Sequence, residues 1–404
     1  MDLTLEHDYQ DEEVPRFEPF HKTYKWISGC LTVCLMYPNP SKWKIKLALI
    51  FTLIILTSPF VIVVTIDMWI RLMSREISEL LKHSTTLGPF LGALVKKVHM
   101  VYMEKRNKAL LDELEEDYET YNRLPKRYQA TADAYRRQAL WLFETVWAYT
   151  LIFVNTVFIS IPVSSTIYSY VVDDIPTRYM LHDVVMPMTE QEYRLTSPCY
   201  EIFFVISALM ELVIMLNYTS YEGLFGILTN HACLKMHISC MYLQDAFKED
   251  TEEGMRRGIV KFLDEQNKCY KYNSSIQISY SLWMNCVLVC VMIQIGSMLY
   301  HVSAGATFDL RYALFCLSCV VEIFLPCRIA ADLKKTSTDT ATLIYCSGWE
   351  RVRSVRVRRV VPHLIARAQL PELLVAFQLL AYDMELFVRI MKTSYTVFTL
   401  LETN

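Results

Sequence analysis

The feature that most constrains this chain is its set of long apolar blocks, two of them free of charge. Leu47 to Ile66 and Ile276 to Tyr300 contain no Asp, Glu, Lys or Arg. At a helical rise of about 1.5 Å per residue, a run of about 20 residues crosses a bilayer core of roughly 30 Å. A soluble chain of 404 residues would divide into two or three domains with amphipathic patterning. Here the apolar residues gather into blocks instead, which predicts an all-α polytopic membrane protein.

Seven spans are expected. The first is 47–66, with Pro59 as a kink. The second is about 77–100, broken by Gly88-Pro89 and ending at Lys96-Lys97, and the third is 139–163, holding Glu144. The fourth, 199–221, holds Glu211; the fifth is 276–300; the sixth, 310–330, carries Glu322; and a terminal helix closes the chain. The predicted organisation is a polar cytosolic arm over 1–46, spans one to six over 47–330, cytosolic segments over 222–275 and 331–370, and the terminal helix over 371–404. Basic residues crowd the segments after spans two, four and six and are sparse in the others. Lys and Arg are retained on the cytosolic side, so the N-terminus is read as inside and the C-terminus as outside, the reverse of a G-protein-coupled receptor.

Other features narrow the function. The first twenty residues are acidic rather than basic-then-apolar, so no cleavable signal is expected. A net charge of −3 suggests no nucleic-acid partner. The twelve cysteines have no disulfide spacing. Cys316-x-x-Cys319 lies in an apolar block without a second pair, so it is read as packing. No Gly-x-Gly-x-x-Gly, P-loop, Gly-x-Ser-x-Gly or His-Glu-x-x-His motif occurs, and neither an enzyme nor a cofactor is expected. Asn217 and Asn273 head glycosylation triplets that this topology leaves unused.

Three constellations have two readings each. Glu144, Glu211 and Glu322 either face a water-filled conduit or sit at the bilayer edge paired with Arg or Lys; pairing is preferred. The run Arg351-x-Arg353-x-x-Arg356-x-Arg358-Arg359 either binds anionic lipid or flanks the last helix, bridged to the acidic runs at 112–119 or 249–253; the second is preferred. Leu87 and Phe90, Thr150, Phe153 and Val157, Phe203, Ile206 and Met210, and Tyr312 and Phe315 recur at helical spacing toward the extracellular halves of their spans. Each set is either ordinary packing or one wall of a small apolar pocket for a volatile ligand. The terminal segment is apolar but studded with Gln378, Asp383, Glu385, Arg389, Lys392, Thr393, Ser394, Tyr395, Thr396 and Thr399. Such a helix suits a pore lining or a closing helix packed through small polar residues.

Ser394-Tyr395-x-x-Phe398-Thr399-Leu400-Leu401, with Arg367-Ala368-Gln369-x-Pro371 upstream, resembles the C-terminal signature of insect odorant receptors. Ser337, Ala341, Tyr345, Ser347 and Trp349 match that family's pattern after span six, and Ser197-Pro198-x-Tyr200 its entry to span four. The related gustatory receptors end differently, with Thr-Tyr and Gln-Phe, and are the alternative; a G-protein-coupled receptor or a transporter fits less well. The resemblance implies a ligand-tuning subunit of a tetrameric, odorant-gated, non-selective cation channel in the dendritic plasma membrane of olfactory neurons. Its partners would be odorant co-receptor subunits, a small volatile ligand and membrane lipid. The cytosolic segments would form a shared anchor. By position, the pore would be lined by Ser394, Val397, Phe398, Leu401 and Glu402, with Leu401 standing where the co-receptor has glutamine.

Overall fold

The computed structural model describes residues 16–39, 42–76, 80, 83–182, 195–304 and 310–402. In chain order the elements are α1 (Phe20–Thr23), α2 (Lys25–Val33), α3 (Trp43–Met73), α4 (Ser84–Tyr102), α5 (Glu104–Tyr121) and α6 (Lys126–Ala139). A π-helical stretch, Leu140–Trp147, leads from α6 into α7 (Ala148–Val172). Then come α8 (Cys199–Ala246), α9 (Glu252–Ala304), α10 (Leu310–Tyr345), α11 (Val355–Ala368), strands β1 (Val375–Ala376) and β2 (Leu380–Ala381), and α12 (Met384–Glu402).

Among the described residues, five stretches are long and apolar enough to cross a membrane: Trp43–Met73, Lys126–Val172, Cys199–Ala246, Glu252–Tyr300 and Ala313–Arg351. These contain the expected spans one, three, four and five and overlap most of span six. α4 and α12, at 19 residues each, are shorter. The outer faces of the long helices carry exposed apolar side chains, Ile55 at 70% and Phe51 at 63% among them. A contiguous apolar exterior of that kind suits contact with lipid.

α8 is the spine. It packs against α2, α3, α4, α6, α7, α9 and α10, and every residue from Thr219 to Thr229 is buried. A helix apolar and buried all round must lie inside the bundle. Beyond the membrane-spanning part, α8 continues with α9 and α10 into a smaller core. There Leu243 of α8, Phe262 of α9 and Ile344 of α10 meet Val357, Val361 and Leu364 on one face of α11.

Near the smaller core, α5 is pinned to α8 by charge. Lys235 donates to Glu113 (2.8 Å) and Asp117 (2.5 Å), and His231 Nε2 lies 2.9 Å from the same Asp117. Burial alone would raise the Asp117 pKa, but hydrogen bonding and charge from His231 and Lys235 outweigh it and hold the carboxyl below its ordinary range.

Three expectations need correction. The arm expected over 1–46 is, from residue 16, part of the core. Phe17, Phe20, Tyr24, Ile27 and Leu31, spaced by three and four, are each 4% exposed or less. The terminal helix expected from 371 begins at Met384. Before it the chain makes a hairpin, Val375 pairing with Ala381 and Ala376 with Leu380, turned through positive φ at Phe377 (50°) and Gln378 (58°). Gln277 of α9 bonds both the N–H and the C=O of Val375 at 2.8 Å, and Asn285 accepts from Phe377 N–H at 2.7 Å. Asp383 then caps α12, accepting from Leu386 N–H at 2.9 Å. The arginines of α11 do not bridge to the acidic runs: Arg353, Arg356, Arg358 and Arg359 make no ion pair among the described residues, and Arg351 meets only its neighbour Glu350.

Glu144 is neither in a conduit nor paired with a basic residue. Its carboxylate accepts from the backbone N–H groups of Trp26 (3.0 Å) and Ile27 (2.8 Å), so it caps the first turn of α2 from another element. Hydrogen bonds to a charged group contribute about 1.5–3 kcal/mol each. With two such bonds lost, Glu144→Ala is expected to weaken docking of residues 24–33 by roughly 3 kcal/mol. Their amides should then exchange with solvent on the order of 100-fold faster. Unchanged protection there would show that the cap does not hold the arm.

Candidate functional site

An apolar cluster lies between α3, α4 and α8. Phe60 and Val64 of α3, Phe90 and Ala93 of α4, and Met210 and Ile214 of α8 form its buried centre. Phe203, Ile206 and Tyr218 pack on it as half-buried neighbours. The sequence spacing explains the faces: 60 and 64, 90 and 93, and 203, 206, 210, 214 and 218 each lie three or four apart.

Polar and charged groups meet the cluster at two levels of α8. At one, His182 Nε2, from the segment after α7, lies 3.0 Å from Glu211 Oε1, and the imidazole packs near the Phe60 and Phe158 rings. That segment is fixed in place: Arg311 of α10 donates to Met180 O (3.1 Å), Tyr200 OH to Tyr179 O (3.2 Å), and Tyr179 N–H to Thr166 Oγ1 (2.9 Å). Met180, Leu181 and His182 are buried. At the other, Lys96 of α4 sits between Glu222 of α8 (2.6 Å) and Glu322 of α10 (3.3 Å). Its ammonium lies 3.1 Å from the centroid of the Tyr218 ring, so a member of the cluster also faces the ion pair. Glu211 and Glu222 are eleven residues apart on one helix, about 16 Å along its axis. Ile214 and Tyr218 lie between them, whereas Phe203, Ile206 and Met210 lie on the other side of Glu211.

The structure brings together Phe90, Phe203, Ile206 and Met210 of the expected pocket. Leu87 is half-buried on α4, and Val157 half-buried on α7. The remaining members go elsewhere. Phe153 is 67% exposed and points out with the lipid-facing belt. The Thr150 hydroxyl donates to its own helix at Val146 O (2.7 Å), and Phe315 packs on the main core beneath α10. Tyr312 lies in α10, but its side chain is outside the described residues. Sequence reasoning missed Phe60, Val64, Ala93, Ile214, Tyr218, His182, Lys96 and Glu222. Lys96 and Lys97 had marked the end of a span; both are buried, and Lys97 donates to Cys34 O at 3.0 Å. Of the three membrane acids, Glu322 follows the pairing expectation, while Glu211 takes a histidine.

In α12, Leu386, Ile390, Ser394 and Val397 face α9 and α10. Gly296 of α9 makes the approach possible: a Cβ there would lie 2.7 Å from Val397 Cγ1 and 3.0 Å from Ser394 O. Phe398 is half-buried beside Tyr395, ring centroids 5.6 Å apart. The opposite face, with Arg389, Lys392, Tyr395 and Thr396, is uncovered in the single chain. The Thr393, Thr396 and Thr399 hydroxyls bond back to helix carbonyls. Leu401 and Glu402 are helical, with side chains outside the described residues. A surface groove of about 550 Å³ on the exposed face of α9, lined by Arg257, Lys261, Lys268 and Lys271, is a solvated charged face remote from the cluster.

Comparison with known proteins adds two findings. The family model described as 7tm Odorant receptor matches residues 76–395. In fold, the chain is similar to the insect olfactory receptor OR5 from Machilis hrabei in complex with eugenol: TM-score 0.76, 17% identity, covering 95% of this chain and 98% of that one. A second structure of that receptor gives TM-score 0.73 at the same identity and coverage. No curated protein matches the chain in sequence.

Gly92 carries a test of the site's geometry, since a Cβ there would lie 2.7 Å from the Tyr218 hydroxyl but 3.7 Å from Cζ. Gly92→Ala should push Tyr218 off Lys96 and destabilise the protein by about 1–3 kcal/mol, as overpacking does. Adding Tyr218→Phe removes the clashing oxygen and should recover most of the loss. Thermal unfolding of the two variants in lipid nanodiscs reads this directly; a double variant no more stable than Gly92→Ala would refute the contact.

Proposed function

The chain belongs to the odorant receptor family, a receptor family rather than an enzyme family, and from that premise we propose that it is the odorant-binding subunit of a ligand-gated, non-selective cation channel. The observation that carries this reading is the family match over residues 76–395. The likeness of fold to a receptor whose complex holds eugenol, a small phenol, supports a small volatile ligand.

In this reading α4 and α12 join the five long helices to make seven spans, with the N-terminus inside and the C-terminus outside. The odorant enters the cluster of Phe90, Phe203, Ile206 and Met210 and is held by shape and apolar burial. Recognition is modest in energy. A volatile of roughly ten heavy atoms binding at micromolar concentration contributes about 8 kcal/mol. Only the part that differs between closed and open states moves the gate.

Four subunits surround the conduction path, each contributing the end of α12, with Phe398, Leu401 and Glu402 nearest the constriction; Ser394 and Val397, expected there too, instead pack behind it against Gly296 of α9. The cytosolic core where α8, α9 and α10 meet α11 is the anchor shared between subunits. A co-receptor completes the tetramer, in the dendritic plasma membrane of olfactory neurons. The unpaired arginines of α11 suit an acidic neighbour or anionic lipid.

Whole-cell recording in cells expressing this chain with and without an insect odorant co-receptor, under a panel of volatiles, tests the reading. A fast inward cation current that needs both chains is expected. Phe90→Ala and Met210→Ala should raise the half-maximal odorant concentration about tenfold or more, as loss of roughly 1.4 kcal/mol or more of contact requires. Phe153→Ala should change it less than twofold. Surface-expressed protein that gives no current with any volatile, or equal sensitivity in all three variants, would contradict the reading.

A further inference from the structure

The ion cluster around Lys96 does not balance. Lys96 is 2% exposed, Glu222 fully buried, and the Glu322 side chain 13% exposed. One ammonium faces two carboxylates. Each Lys96 contact is accounted for: Glu222 Oε1, Glu322 Oε1 and the Tyr218 ring. Glu222 Oε2, in contrast, is buried with no hydrogen-bond partner.

Among the described residues the surroundings supply no second cation. On α4, Lys97 turns away to the Cys34 carbonyl. His99 presents Nδ1 to Tyr221 OH at 2.8 Å, and its Nε2 is buried without a partner, an arrangement an imidazolium with two N–H donors would leave unsatisfied. From α8 the nearby titratable groups are Tyr218 and Tyr221, from α9 Cys286 and Cys290, from α10 Cys319, and from the hairpin side Tyr382. All are neutral acids that add no positive charge. Trp283 of α9 completes the wall, 5.8 Å from the ammonium to its ring centroid.

Burying a second, uncompensated carboxylate near the first is strongly unfavourable, and a carboxyl so placed holds a proton instead. We infer that Glu222, the fully buried member whose Oε2 has no partner, is a proton-binding site that carries its proton at neutral pH while Lys96 neutralises Glu322. Loss of that proton would set two like charges across the contact of α8 with α10. The site therefore ties proton occupancy to the packing of the helix that carries Met210 against the helix that supports α12.

This inference is independent of the receptor reading and is tested on the purified full-length chain in lipid nanodiscs by infrared spectroscopy. Wild type should show the C=O stretch of a buried protonated carboxyl at neutral pH, titrating away at high pH. Glu222→Gln and Glu322→Gln each restore a one-to-one pair with Lys96, so each should lose that band in the difference spectrum. Lys96→Met leaves two carboxyls and no cation, so the band should grow about twofold. Circular dichroism and melting curves establish that the two isosteric glutamine variants are folded. Absence of the band in wild type, as a bound monovalent cation in the proton's stead would produce, overturns the inference. So does a band that persists unchanged in both glutamine variants.

Discussion

A polar group carried into a medium without water must find its partner within the protein, and the structure is arranged around that requirement. Glu144 takes two backbone donors of α2. Glu211 takes His182. Lys96 takes two glutamates and a ring face. Gln277 and Asn285 satisfy the main chain of the hairpin. Each pairing joins elements distant in sequence, so each also fixes tertiary structure. The arm docks because Glu144 needs donors as much as because Phe20 and Ile27 need a core. The segment after α7 folds inward where His182 meets Glu211.

The same requirement shapes the site. The walls of the cluster are aromatic and aliphatic, a setting that rewards shape over hydrogen bonding. α8 carries, in order along one continuous helix, Phe203, Ile206 and Met210, then Glu211, then Ile214 and Tyr218, then Glu222. In the proposed channel, displacement of that helix by a ligand would be felt at the Lys96 cluster, and through Glu322 by α10, which packs against α12. A helix contact with two alternative packings would be a physical route from binding to gating.

Much of this was legible in the sequence and some was not, for identifiable reasons. The charge-free blocks located the apolar stretches of α3 and α9, because length and lack of charge leave a helix little alternative, but not the helix ends: α3 runs from Trp43 to Met73 and α9 begins at Glu252. Helical periodicity found the faces bearing Phe90 and Met210. It could not separate them from Phe153, because an apolar side chain facing lipid and one facing the core read alike. The docked arm did carry a signal, the three-and-four spacing of Phe17, Phe20, Tyr24, Ile27 and Leu31, masked by its polar neighbours. The hairpin carried almost none: Val375 to Ala381 is apolar enough for a helix, and what breaks it is Gln277 and Asn285, about a hundred residues away. Lys96 was misread for a general reason. A lysine beside an apolar run ordinarily marks the membrane edge, and only a three-dimensional structure reveals the two glutamates that hold it inside.

The proposed function turns on a small volatile ligand lodging in the α3–α4–α8 cluster. Photolabelling tests this most directly, using a diazirine analogue of a volatile that evokes current from the assembled receptor, followed by peptide mapping. Adducts are expected on the peptides holding Phe90 and those holding Ile206 and Met210, suppressed by excess unlabelled odorant. Competable labelling confined to the smaller core around α11, or to the exposed side of α7, would contradict it.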